Sequence, residues 1–144
     1  MYEDHRNFNR DRFQVVQMNL SLKPLDPLLF SDKAEEAARL CTRSKTMNAS
    51  SQVRRFYDEL VMWHDKILSR PVAEQQATFS ELRPFIQMIR AKIAYARGRK
   101  LVDDQFVAIF DDLIKKIVSL ETLVNAKLFM EAFLGFKKYL ESDK

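Results

Sequence analysis

Side chains able to do acid–base or metal chemistry are few and scattered in this 144-residue chain. The two histidines are His5, in a polar N-terminal stretch of mixed charge, and His64, on the apolar side of a helical pattern. A lone imidazole there reads as a hydrogen-bonded core residue rather than a base or ligand. Asp103-Asp104 and Asp111-Asp112 supply four carboxylates on one predicted helix. Asp104 and Asp111 share a side of it and could face a common point. No histidine and no carboxylate from another element completes a metal site with them, and both pairs also fit helix-terminal or solvated charge. Cys41 is the single cysteine, which excludes an internal disulfide and a cysteine metal cluster. It follows Ala-Ala-Arg-Leu and reads as a small buried hydrophobe. The chain has no Walker-type loop, zincin motif or nucleophile elbow. The expectation is no catalytic residue, no metal and no cofactor.

Basic side chains offer more. Residues 42–100 hold 12 Lys and Arg against 5 Asp and Glu, a net of +7, whereas the whole chain carries +4. Cationic charge concentrated in mid-chain is the footprint of a polyanion-binding surface, and it is also compatible with a solvated face. The densest stretch runs from Leu82 to Lys100. Read as a helix, it carries an apolar seam of Leu82, Ile86, Ile89, Ile93 and Ala96 at 3–4 spacing. Arg83, Arg90 and Arg97 recur every seven residues, about 10 Å apart along the axis. Such a row beside a buried stripe suits contact with a phosphate backbone. Arginine stems that cover apolar surface would explain the same pattern without a ligand.

The elements that must position these groups are helical. Hydrophobic residues make up 47% of the chain, with only two glycines and four prolines, and no alternating strand pattern follows residue 31. Residues 1–30 are expected to be an irregular arm, flexible or docked on a partner, and residues 31–144 a single compact bundle of about five helices. A first helix starts near Asp32 as N-cap with Glu35 at N3 and runs to Cys41. A second starts at Ser50 or Ser51 and reaches Leu68, with Val53, Phe56, Tyr57, Leu60, His64 and Ile67 on one face. A third starts at Ser80, with residues 72–79 as an irregular or helical turn before it, tolerates Pro84 in its first turn, and ends at Gly98 as a left-handed C-cap. A fourth spans about 102–118, with Phe106, Ile109, Phe110, Leu113 and Ile117 inward. A fifth spans about 121–140. No stretch approaches the length of an apolar membrane span, and no signal core opens the chain. The expected location is the cytoplasm, without membrane contact.

Three local patterns narrow the reading. Ser50-Ser-Gln-Val-Arg-Arg-Phe-Tyr-Asp-Glu-Leu60 resembles a Thr/Ser-Ser-Gln-Ile-Arg-Lys-Phe-Tyr signature. Ala91-Lys-Ile-Ala-Tyr-Ala-Arg-Gly-Arg99 resembles Pro-Lys-Leu-Ala-Tyr-Ala-Ala-Gly-Arg. Phe129-Met-Glu-Ala-Phe-Leu-Gly-Phe-Lys-Lys-Tyr139 resembles Phe-Phe-Glu-Ala-Ile-Val-Ala-Tyr-His-Lys. In this order the three resemble the small helical subunit of type III-A CRISPR–Cas (Csm) effector complexes, over about residues 33–140. Arg97 stands where that pattern has a small residue, and Gly135 where it has alanine. The resemblance implies a five-helix protein without enzymatic activity. Several copies stack beside the subunits that carry the crRNA and line the channel where target RNA pairs with it. Contacts with crRNA and target RNA are to the backbone, through basic side chains. The resemblance implies the other effector-complex subunits as partners, and the apolar Leu28-Leu29-Phe30 segment with the aromatics of the fifth helix leads to an expectation of self-association. By motif position the resemblance implies Arg54, Arg55, Lys92 and Arg99 as leading RNA contacts. Lys45, Arg90 and Arg97 join them through the local charge excess alone. Tyr95 and Phe56 read as core rather than as base-stacking platforms.

Two other functions compete. One is a stand-alone helical DNA-binding regulator using the third helix for recognition, against which the broad apolar seam and the missing short turn before that helix both count. The other is an enzyme built on the carboxylates of the fourth helix.

Overall fold

The computed structural model describes residues 14–142. Among them every regular element is helical. A π-helical turn, Leu29–Lys33, runs directly into α1 (Ala34–Cys41). It is followed by α2 (Ser50–Leu68), α3 (Val72–Gln87), α4 (Ile89–Gly98), α5 (Asp104–Lys115) and α6 (Leu120–Ser142). Only Met88 separates α3 from α4, so the two form one interrupted helix and the bundle has five helical rods. Residues 1–13 of the expected arm, with His5, Phe8 and Phe13, lie outside the described residues.

The third helix begins earlier than expected, at Val72 rather than Ser80. Pro84 therefore stands inside α3. Its ring nitrogen donates nothing to the Ser80 carbonyl, which weakens the ladder there, and the helix breaks one turn later at Met88. Gln87 uses that break. Its Nε2 donates to the Ile114 carbonyl at 2.7 Å and the Ile117 carbonyl at 3.3 Å, satisfying backbone acceptors at the end of α5.

The core forms where α1 and α2 pack on α6, with α4 joined to it through α5, whose Phe110 reaches α6. From α2 it takes Val53, Phe56, Leu60 and Ile67, and from α4 Ile89, Ile93 and Ala96. Phe110 of α5 stacks on Phe106 with centroids 4.5 Å apart and meets Phe133 of α6 edge-on at 4.7 Å. α6 is apolar on nearly every side because the π turn, α1, α2 and α3 all pack against it. Its buried positions include Leu123, Ala126, Phe129, Met130 and Phe133. Lys137 is buried with them. Its ammonium donates to Glu141 and, at 3.3 Å, to Ser50 Oγ. Ser50 Oγ in turn donates to Glu141 Oε1 at 2.8 Å. The serine expected to cap α2 therefore ties that helix end to α6, and no side chain caps α2.

Residues 14–28 run without regular structure along the bundle and bury Leu20 and Leu22. Gln105 of α5 accepts from the Val16 amide at 2.8 Å and donates to its carbonyl at 2.9 Å. Asn125 of α6 donates to the Leu22 carbonyl at 3.0 Å. The Leu28-Leu29-Phe30 stretch buries Leu29, half-buries Phe30 and leaves Leu28 exposed.

Candidate nucleic-acid interface

Two loops set the position of the cationic groups. The loop between α1 and α2 and the turn between α4 and α5 are joined by Asn48, which is almost wholly buried. Its amide donates to the Leu101 carbonyl at 2.9 Å, and its Oδ1 accepts from the Asp103 amide at 3.0 Å. Its Nδ2 donates to the Cys41 carbonyl at 3.1 Å. Asn48 takes φ 62°, a left-handed conformation that asparagine tolerates better than most residues. Across this joint α4 ends in a Schellman turn, with Leu101 N–H bonding the Ala96 carbonyl at 2.9 Å and Lys100 N–H the Arg97 carbonyl at 3.0 Å. The left-handed residue is Lys100, at φ 61°, and not Gly98, which is the last helical residue two positions earlier. The turn presents Arg99 and Lys100 to solvent, and Lys45 is exposed on the adjoining loop.

Antiparallel packing of α4 on α2 brings the first two signatures together. Lys92 Nζ bonds Glu59 Oε1 at 2.8 Å, while the joint at Asn48 places the end of α4 beside the start of α2. Arg55 lies one turn before Glu59 on the same face, and Arg99 lies two turns after Lys92, about 10 Å along. Arg55 and Arg99 are both exposed, and neither has a carboxylate partner among the described residues. Arg54 pairs loosely with Asp58 at 3.5 Å and lies 5.5 Å from the Tyr57 ring centroid.

The expected arginine row divides. Arg83 is exposed. Arg90 Nε bonds Asp111 Oδ1 at 2.8 Å, and Arg97 Nε bonds Asp104 Oδ1 at 2.6 Å. The seven-residue repeat of arginines on α4 thus meets the seven-residue repeat of aspartates on antiparallel α5 as two rungs. The Asp104 bond raises the Arg97 pKa further. The two carboxylates face arginines rather than a common point. Among the described residues no group of three or more His, Cys, Asp or Glu side chains could hold a metal ion. His64 is half-buried, with Nδ1 2.9 Å from Asp65 Oδ1. Phe56 is buried as expected, whereas Tyr95 is 64% exposed and stands out from α4. Tyr95 points away from the buried side formed by Ile89, Ile93 and Ala96, with Arg99 beside its ring.

A family model described as Csm2 Type III-A matches residues 25–143, which include α1 to α6 and both signatures in the seam. The chain belongs to that family. The Csm2 family provides the small subunit of type III-A CRISPR–Cas Csm complexes, so the chain is a subunit of a multisubunit effector complex. No curated protein and no solved structure matches it. Among the described residues no helix is long and apolar enough to cross a membrane.

Proposed function

We propose that this chain is a non-catalytic, RNA-binding structural subunit of a type III-A CRISPR interference ribonucleoprotein, stacking in several copies and contacting crRNA and target RNA through their backbones. The observation that supports it is the α2/α4 seam. Two family signatures converge there with Arg55 and Arg99 open to solvent and Lys45 and Lys100 on the adjoining loops. Phosphates are the fitting ligand, because guanidinium groups present several donors in a fixed fork. Lys92 belongs to the same surface, partly screened by Glu59; Arg54 stands further round α2, partly screened by Asp58, and joins the path from that side. Arg90 and Arg97 hold α4 to α5 and keep spare donors for a passing phosphate. Sequence reading is left to guide–target pairing, as in other RNA-guided effectors. One subunit binds weakly, and the assembled complex binds more tightly through multivalency.

The test is the salt dependence of RNA binding by assembled complexes carrying Arg54→Ala/Arg55→Ala or Lys92→Ala/Arg99→Ala. Log affinity on single strands falls with log salt by about 0.7 per neutralised phosphate. Each true contact removed should flatten that slope by about 0.7 or less and weaken all sequences alike. Unchanged affinity and slope for both pairs, in complexes that assemble normally, would remove the basis for these assignments.

A further inference from the structure

Tyr95 is the largest exposed apolar group amid the cations of the seam. On the outward side of the α3–α4 rod, Phe85, Met88, Lys92, Tyr95 and Arg99 follow at 3–4 spacing, a single face that continues across the break. Their apolar members are 50%, 55% and 64% exposed in that order. Arg99 tethers the ring at its hydroxyl end: its Nη1 donates to Tyr95 Oη at 3.2 Å, with the guanidinium carbon 5.8 Å from the ring centroid. That geometry limits the ring's rotation and sets the guanidinium over one side of it, while Tyr95 as a whole stays 64% exposed.

We infer that Tyr95 is a stacking platform for an unpaired base of single-stranded RNA, with Arg99 and Arg55 holding the flanking phosphates. This rests on the RNA-binding reading of the same seam and adds a base contact to the backbone contacts. Every base has a π face, so such a platform grips RNA without selecting sequence. A tyrosine has few torsions to freeze, and here one end is already held. Charge favours RNA over a protein partner. Arg99 lies against the ring, Arg55 and Lys100 are exposed on the same seam, and none of the three has a carboxylate partner among the described residues, while Glu59 is held by Lys92 and Asp58 faces Arg54.

The test uses the full chain and single-stranded RNA carrying 2-aminopurine, whose fluorescence falls when it stacks on an aromatic ring. Wild type should quench the probe, and Tyr95→Phe, which keeps the ring but loses the Arg99 tether, should quench it too and bind only slightly more weakly. Tyr95→Leu should lose the quench and bind about 5- to 150-fold more weakly, the range for removing one base–aromatic stack. Its salt slope should not change, because no charge is lost. Arg55→Ala and Arg99→Ala should flatten the slope. Absence of quenching by wild type, or a Tyr95→Leu chain that quenches and binds like wild type, overturns the platform. If the arginine variants still weaken binding in that case, the RNA-binding reading survives alone; if they do not, both fall. A Tyr95→Leu chain that keeps its RNA affinity but no longer enters the effector complex would make this face a protein contact and equally overturn the platform.

Discussion

Glu59→Gln is the most revealing single change in the seam, because it separates the two possible roles of Lys92. Glu59 accepts from Lys92 Nζ at 2.8 Å and from the Trp63 indole at 3.4 Å. Its side chain is 20% exposed and that of Lys92 is 50% exposed. A half-exposed pair of this kind contributes only about 0.2–1 kcal/mol, and the glutamine amide keeps one acceptor for the indole, so the fold should lose no more than about 1 kcal/mol. The freed ammonium adds up to one cation to the RNA path. On a single strand that steepens the log–log salt slope by about 0.7, which is about fivefold in affinity at ~0.1 M salt relative to 1 M. The assay is RNA binding at a series of salt concentrations, with denaturant unfolding of the same samples. The expected result is tighter binding, converging with wild type at high salt. Unchanged affinity and slope in a normally folded variant would show that Lys92 serves only to clamp α4 to α2.

Other expectations concern stability and reactivity. Ile89→Ala opens a cavity in a helix that buries only three side chains and should cost about 2–5 kcal/mol in urea unfolding; a loss below 1 kcal/mol would mean that α4 contributes little to the core. Tyr57 Oη donates to Glu131 at 2.7 Å, and burial first, then this bond, push the Tyr57 pKa up from 10 to about 12. The protonated phenol is the form the fold favours, so its contribution is complete below pH 10 and is lost as pH rises through about 12. The same bond lowers the Glu131 pKa, giving a second contribution that fades as pH falls through the depressed value. Tyr57→Phe should cost about 0.5–1.5 kcal/mol at neutral pH and reduce the alkaline loss, to which the buried Cys41 thiol also contributes, as read from thermal melts across pH; an unchanged alkaline limb would refute the assignment. Burial, ahead of the Asp103 charge, raises the Cys41 thiol far above its usual range, so a thiol reagent should label it only after unfolding.

Local signals were readable where one face is apolar and the other is not. The registers of α2 and α5 follow from 3–4 spacing, and Asp103 is the N-cap of α5, accepting from the Phe106 amide at 2.9 Å. Residues 72–79 lacked that contrast. Only Phe79 among them is buried, and Val72 is 84% exposed, so nothing periodic marked the start of α3. Pro84 then looked like a helix start when it is an interior residue. Gly98 drew the left-handed position to itself by type, yet Schellman geometry places that position two residues later, on Lys100. The register of α6 was obscure because it packs on several sides. The Arg90–Asp111 and Arg97–Asp104 rungs existed as two seven-residue repeats, but only the antiparallel packing of α4 on α5 pairs them. Tyr95 illustrates the reverse limit. Its type suggested core, and its exposure depends on which side of α4 is buried. Asn48, which aligns both cationic loops, carried no signal beyond its turn propensity.

The most direct measurement is the structure of the effector complex with RNA bound and this chain in place. RNA should run over the α2/α4 seam, with phosphates within hydrogen-bonding distance of Arg55 and Arg99 and no base edge read by this subunit. RNA held instead against α5 and α6, or a seam filled by another protein subunit, would contradict it.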